Sequence, residues 1–235
     1  MTQEIPYDRL ELIGITPKAV DSMPEEVKAT LLGGGLTPLI SVRKEMNDGT
    51  VVEMPVKLRM EDGQLTVYPM NAGMRNSVNI GPMSFAALVD GDVIRANGHY
   101  MQRDPETNCI LRVPESQLDI EGKIMELEKV RGIELGTEQK AQLKEGKPVE
   151  LDVGGEKVSV GIDLRDRDHF RSLKGDLNEW ARQQEIAYDI LHPEYVGLVQ
   201  TDENRWEYHK IATEGLGTQS LREKPAQTQS AGMRI

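Results

Sequence analysis

The stretch Gly132–Val153, GIELGTEQKAQLKEGKPVELDV, repeats a spacing found 55 positions earlier in Gly81–Ala96, GPMSFAALVDGDVIRA. Gly81, Leu88, Gly91 and Ile94 in the first run fall at the same offsets as Gly136, Leu143, Gly146 and Val149 in the second. Each run reads as a short helix with one leucine turned inward, a glycine suited to the left-handed helix stop, and a β-prone start beyond it. Ser84–Val89 supplies the helical turns of the first run and Glu138–Glu145 those of the second, with Thr137 as the expected N-cap.

A hairpin follows each stop. His99–Arg103 and Cys109–Val113 flank Asp104-Pro105-Glu106-Thr107-Asn108, where proline presets φ and Asp and Asn bond the local backbone. Cys109, Leu111 and Val113 alternate onto one face. In the second run Val149, Leu151 and Val153 alternate, Gly154-Gly155 turns the chain, and Val158, Val160 and Ile162 alternate back. The pattern predicts an α+β fold of short helices with antiparallel β-hairpins, containing two repeated helix–Gly–hairpin units, with Gly91 and Gly146 at positive φ.

Outward from these units, residues 1–78 read as an N-terminal helix-hairpin domain. In SMPEEVKATLLGGG from Ser22, Pro24 suits the first helical turn, Glu25 and Glu26 suit the positive helix end, Val27 and Leu31 share a face, and Gly33 stops the helix. Three β-prone runs then alternate with turns at Asn47-Asp48-Gly49 and Glu61-Asp62-Gly63. The triple glycine Gly33–Gly35 lacks a following Gly-Lys-Ser/Thr and comes after a helix, so it reads as a helix stop rather than a phosphate loop. The repeated units occupy 79–163. Residues 164–213 read as a C-terminal helix from about Leu177 to Ile190, started by Asp176 with Glu179, and a hairpin turning at Asp202-Glu203-Asn204. The polar, aperiodic 214–235 is expected to be a disordered, dispensable tail.

Aromatic residues are 4% of the 235-residue chain, and only Phe85 and Phe170 are phenylalanine, which favours several small cores of Leu, Ile, Val and Met over one large one. The net charge of −11 opposes diffuse attraction to phosphate backbones. A single cysteine, Cys109, excludes an intrachain disulfide; with no long apolar run and no leader-like start, a cytoplasmic location without membrane contact is expected.

No catalytic motif stands out. His99, His169, His192 and His209 are scattered, and Asp163, Asp166 and Asp168 are interleaved with Arg165, Arg167 and Arg171, which would neutralise a metal site. Cys109 sits among inward-alternating strand residues and reads as an inert thiol. No catalytic residue, metal or cofactor is expected, and a non-enzymatic role follows. Two binding surfaces remain. The hairpin tip, Tyr100, Arg103, Asp104, Glu106, Thr107 and Asn108, combines solvent-facing polar groups with residue types enriched in interfaces, and suits an unidentified protein partner. The alternative is a nucleic-acid accessory that contacts phosphates through Arg165, Arg167, His169, Arg171 and Lys174 around Phe170.

Four stretches carry a resemblance: Ile13-Gly14-Ile15-Thr16, the LLGGGLTPLI run from Leu31, the hairpin tip Asp104, Pro105, Thr107 and Asn108, and the run Glu138, Gln139, Lys140, Leu143, Gly146 and Lys147. Over residues 5–153 the chain resembles uncharacterised domain families in polyvalent-type proteins of conjugative and other mobile genetic elements from gut-type anaerobic bacteria. Val113-Pro114 stands where those families carry Ile-Pro. The resemblance implies the context of a mobile genetic element, such as a conjugative transposon, and in that context the favoured reading is a non-enzymatic protein-interaction module serving transfer, regulation or evasion of host defence. It implies a cytoplasmic α+β fold and supplies no catalytic residues.

Overall fold

The computed structural model describes residues 4–61, 63–70, 80–132, 134–188, 195–201 and 205–211. Three short helices open it, α1 (Tyr7–Leu12), α2 (Pro17–Asp21) and α3 (Glu25–Leu32). The Thr16 hydroxyl caps α2 by accepting from the Ala19 amide. Strands β1 (Ile40–Glu45), β2 (Val51–Glu61) and β3 (Gln64–Pro69) then form the expected antiparallel meander. Leu10, Val20, Val27 and Leu31 from the helices, with Ile15 from the turn between α1 and α2, pack against Ile40, Val42, Val56 and Leu58 of this sheet.

The first repeated unit is α4 (Pro82–Asp90) with β4 (Ile94–Ala96), β5 (His99–Arg103) and β6 (Ile110–Pro114). After a 3-10 turn at Glu115–Gln117 and α5 (Ile120–Arg131) comes the second: α6 (Thr137–Lys144), β7 (Val149–Val153), β8 (Glu156–Ile162) and β9 (Phe170–Lys174). The chain closes with α7 (Leu177–Tyr188), β10 (Val196–Gln200) and β11 (Trp206–Lys210). The architecture is α+β with antiparallel hairpins, in three sheets ordered β11-β10-β1-β2-β3, β4-β5-β6 and β7-β8-β9.

The two units share their helix ends bond for bond. Gly91 has φ 91° and Gly146 has φ 88°. Gly91 N donates to Leu88 O and Asp92 N to Ala87 O; Gly146 N donates to Leu143 O and Lys147 N to Gln142 O. Both are the paired bonds of a left-handed helix stop, which only glycine enters without a Cβ penalty. The anchors Leu88 and Leu143 are fully buried. Each helix is followed by a three-stranded meander rather than a hairpin alone.

Four features differ from the sequence reading. The N-cap of α6 is Gly136, whose amide donates to Gln139 Oε1 at 2.9 Å, so Thr137 falls one residue inside the helix. The second unit runs past 163, because β9 pairs with β8 from Val158↔Lys174 to Ile162↔Phe170. The C-terminal hairpin joins the N-terminal sheet: β10 lies parallel to β1, and Leu198 N donates to Leu39 O at 2.7 Å. An edge left open by β1 is covered by strands more than 150 residues away in the chain, a pairing that no local pattern encodes. Helix α5 was also not anticipated, since its charged face masks the few buried positions, chiefly Ile120 and Ile124. The turn at 202–204, the end of α7's expected span and the tail 214–235 lie outside the described residues.

The units stack on one another. Leu88 packs with Met101 on one face of β4-β5-β6, while Tyr100, Leu111 and Val113 on the other face enter the core formed by Leu143, Val149, Val158 and Val160. The far face of β7-β8-β9 is closed by α7, where Trp180 lies over Gly161: a Cβ there would come within 3.1 Å of the indole.

Candidate functional site

The hairpin tip is a structural joint. Asp104 is completely buried and its Oδ1 accepts from Lys57 Nζ of β2 at 2.8 Å, while its Oδ2 accepts from the Thr107 amide (2.9 Å) and hydroxyl (2.8 Å). Glu106 takes the same ammonium from the rim. Burial opposes the charged carboxylate, but Lys57 and the Thr107 donors outweigh it and hold Asp104 below the usual carboxylate range. Burial likewise opposes the Lys57 ammonium, and Asp104 and Glu106 override it and raise its pKa. A lysine so held stays protonated and serves neither as base nor as nucleophile.

The expectation that this tip faces solvent is therefore corrected. Tyr100 is 3% exposed, with its hydroxyl donating to Lys144 O at 2.6 Å, and Arg103 is 5% exposed, bonded to Asn108 Oδ1 and Val89 O. Thr107 is buried, and only Glu106, Asn108 and Pro105 keep partial access. Tyr100 stands beside a polar turn in the sequence, and nothing local shows that a second unit covers it.

The Arg165–Lys174 segment is brought into one loop and strand, but most of its charge is used internally. Arg165 makes a two-pronged bond to Asp163 (2.7 and 2.5 Å), Arg171 stands 3.7 Å from the same carboxylate, and Lys174 pairs with Glu156 at 3.0 Å. His169 lies against the buried Arg59 of β2, its Nδ1 3.0 Å from Nη2. Burial, and then the positive charge of Arg59, push its pKa down to about 4, so it is neutral at pH 7. Arg167 is exposed and carries no ion pair among the described residues. Cys109 donates to Pro69 O at 3.3 Å.

A concavity of about 1200 Å³ opens between the two helix stops and α7. Val93, Pro148, Ile162 and Trp180 give it an apolar floor, and Gly146 approaches the Val93 carbonyl so closely that a Cβ would stand 3.0 Å from it. Its basic residues are committed: Arg95 to Glu115 at 2.5 Å, Lys147 to Glu145 at 2.8 Å, and Arg103 to the joint described above. Asp90, Asp92 and Glu185 on its rim are exposed and have no ion pair among the described residues. Burial, and then the neighbouring Asp90, raise the Asp92 pKa. The sequence reading did not single out this cleft; its one local trace is the pair of acids flanking the stop glycine, Asp90-Gly91-Asp92.

No group of three or more metal-ligating side chains occurs among the described residues, and no described helix is long and apolar enough to cross a membrane. Comparison of the chain with protein-family models, with curated proteins and with solved structures gives no match.

Proposed function

We propose that this protein is a non-enzymatic interaction module whose cleft between the two helix–meander units receives a basic, apolar-anchored segment of a partner protein. The observation that carries this reading is the pairing of an apolar floor at Val93, Pro148 and Trp180 with a rim on which the acids Asp90, Asp92 and Glu185 are unneutralised while the bases are committed. An apolar anchor supplies affinity in such a cleft and the rim charge selects a cationic segment. On the resemblance noted for residues 5–153, the partner we propose is a protein of a mobile genetic element or its host, in transfer, regulation or evasion of defence. The nucleic-acid reading draws less support, because Asp163 and Glu156 absorb most of the charge on Arg165–Lys174.

The test is affinity purification of the tagged full chain from its native host, wild type beside the triple variant Asp90→Lys, Asp92→Lys, Glu185→Lys. All three side chains are exposed, so circular dichroism and Tm should be unchanged. A partner captured by the wild type and lost from the variant supports the cleft. Equal capture by both moves the interface elsewhere.

A further inference from the structure

A second, smaller concavity of about 340 Å³ lies where the α3–β1 turn, β2, β6 and the β8–β9 loop converge. Arg59, Arg112 and Arg167 line it from three of these elements, with Gly33 and Gly34 forming one wall. Arg59 is 1% exposed and forms the floor: its Nε donates to Gly34 O at 2.9 Å and its Nη2 to Asp166 O at 3.3 Å, while Nη1 has no hydrogen-bond partner among the described residues. Among the described residues no carboxylate forms an ion pair with this buried guanidinium. The one acid on the wall, Glu61, has both oxygens engaged, by the Tyr68 hydroxyl and, at 2.8 Å, the Thr66 hydroxyl. Glu61 and Asp163 act on this guanidinium from a distance without bonding it, and a buried cation with an unmet donor and no ion pair is costly, so an anion bound above it would offset that cost.

The glycines let a second guanidinium reach the same place. A Cβ on Gly33 would stand 2.6 Å from Arg167 Nε and 2.8 Å from Cζ, so Arg167 lies across the turn only because residue 33 lacks a side chain. The turn's amides are spent on the helix end, donating to Ala29 O, Leu31 O and Thr30 O, so any anion must be held by side chains.

We infer that this pocket binds a phosphate-class oxyanion, free or as the end of a monoester, gripped by Arg167 above the buried charge of Arg59. Convergent guanidinia from separate elements suit an anion with several acceptor oxygens, and arginine presents paired donors to them. The volume lies at the small end of ligand pockets, about 300–1,000 Å³, which fits one such group rather than a track along a polymer. A diester in a nucleic-acid backbone offers one negative charge on its non-bridging oxygens, fewer acceptors and less charge than a monoester or the free anion.

The test is calorimetric titration of the full chain with inorganic phosphate, with phenyl phosphate and with a single-stranded oligonucleotide, against chloride at matched ionic strength. Saturable binding of phosphate is expected, at least tenfold weaker in Arg167→Ala, with Arg167→Lys intermediate and the ligand-free Tm of both unchanged. Binding of phenyl phosphate as well identifies a monoester site, and its exclusion identifies a site for the free anion. No saturable phosphate binding, equal binding by Arg167→Ala, or binding of the oligonucleotide alone overturns the inference.

Discussion

Asp104 and Asp163 occupy the same position in the two repeated units. Each follows the middle strand of its meander, and each amide closes the next loop, Asp104 onto Cys109 O at 2.9 Å and Asp163 onto His169 O at 3.0 Å. Both are buried, at 0% and 1% exposure. They differ in what neutralises them. Asp104 takes Lys57 from the N-terminal sheet, whereas Asp163 takes Arg165 from two residues along its own loop. The first unit is thereby tied to the N-terminal sheet and the second closes on itself.

That difference sets a stability contrast. Asp104→Ala strands the Lys57 ammonium with only the rim contact to Glu106, and should cost about 3–5 kcal/mol. Asp163→Ala releases Arg165, which is partly exposed and can turn to water, and should cost about 1–3 kcal/mol. The pair Lys57→Met with Asp104→Leu should be less damaging than Asp104→Ala, since no buried charge is left alone. Urea unfolding of the four proteins measures all three.

Alanine at either helix stop should destabilise the fold by about 1–2 kcal/mol through the left-handed penalty. Gly146→Ala carries an added cost, because its Cβ also meets the Val93 carbonyl at 3.0 Å. Thermal unfolding of both variants is the measurement; a Gly146 variant as stable as wild type would contradict the tight approach of Gly146 to Val93.

Tyr100 acts in folding. Tyr100→Phe removes the bond to Lys144 O and should cost about 1 kcal/mol. Tyr100→Ala empties a core position between the units and should cost about 3–5 kcal/mol. A lowered Tm in both, graded in that order, is the expected readout.

His169 gives the stability a pH dependence. Its folded pKa of about 4 lies below its ordinary value near 6.5, so the unfolded chain binds more protons between those values and stability falls as pH drops through the window. The loss should reach about 1–3 kcal/mol at this partly exposed site. The groups facing the ring are Arg59 on β2 and Asp166 and Asp168 of its own loop. His169→Asn keeps an acceptor toward Arg59 and tolerates the φ of 56°, and should flatten the wild-type-minus-variant curve between pH 6.5 and 4.5. Urea titrations at stepped pH provide the comparison.

What was legible in the sequence was the part written in local chemistry. Helix stops at Gly91 and Gly146, the alternation of Val158, Val160 and Ile162, the turn at Asn47-Asp48-Gly49 and the cap of α7 by Asp176 each depend on residues a few positions apart, because φ preference, capping and side-chain direction act over one turn or one strand. Tertiary structure alone decided where the units' outer faces go. The 47 residues between Lys57 and Asp104, the parallel pairing of Ile40 with Leu198, and the meeting of Arg59 with His169 join side chains whose neighbours in sequence carry no sign of their partners. Hence Tyr100 and Asp104, polar and near a turn, read as surface, and stacking of one unit on the other and against the first sheet buried them. The cleft and the arginine pocket have the same origin: each is lined from several distant segments, and packing, which satisfies contacts irrespective of chain separation, brought those segments together.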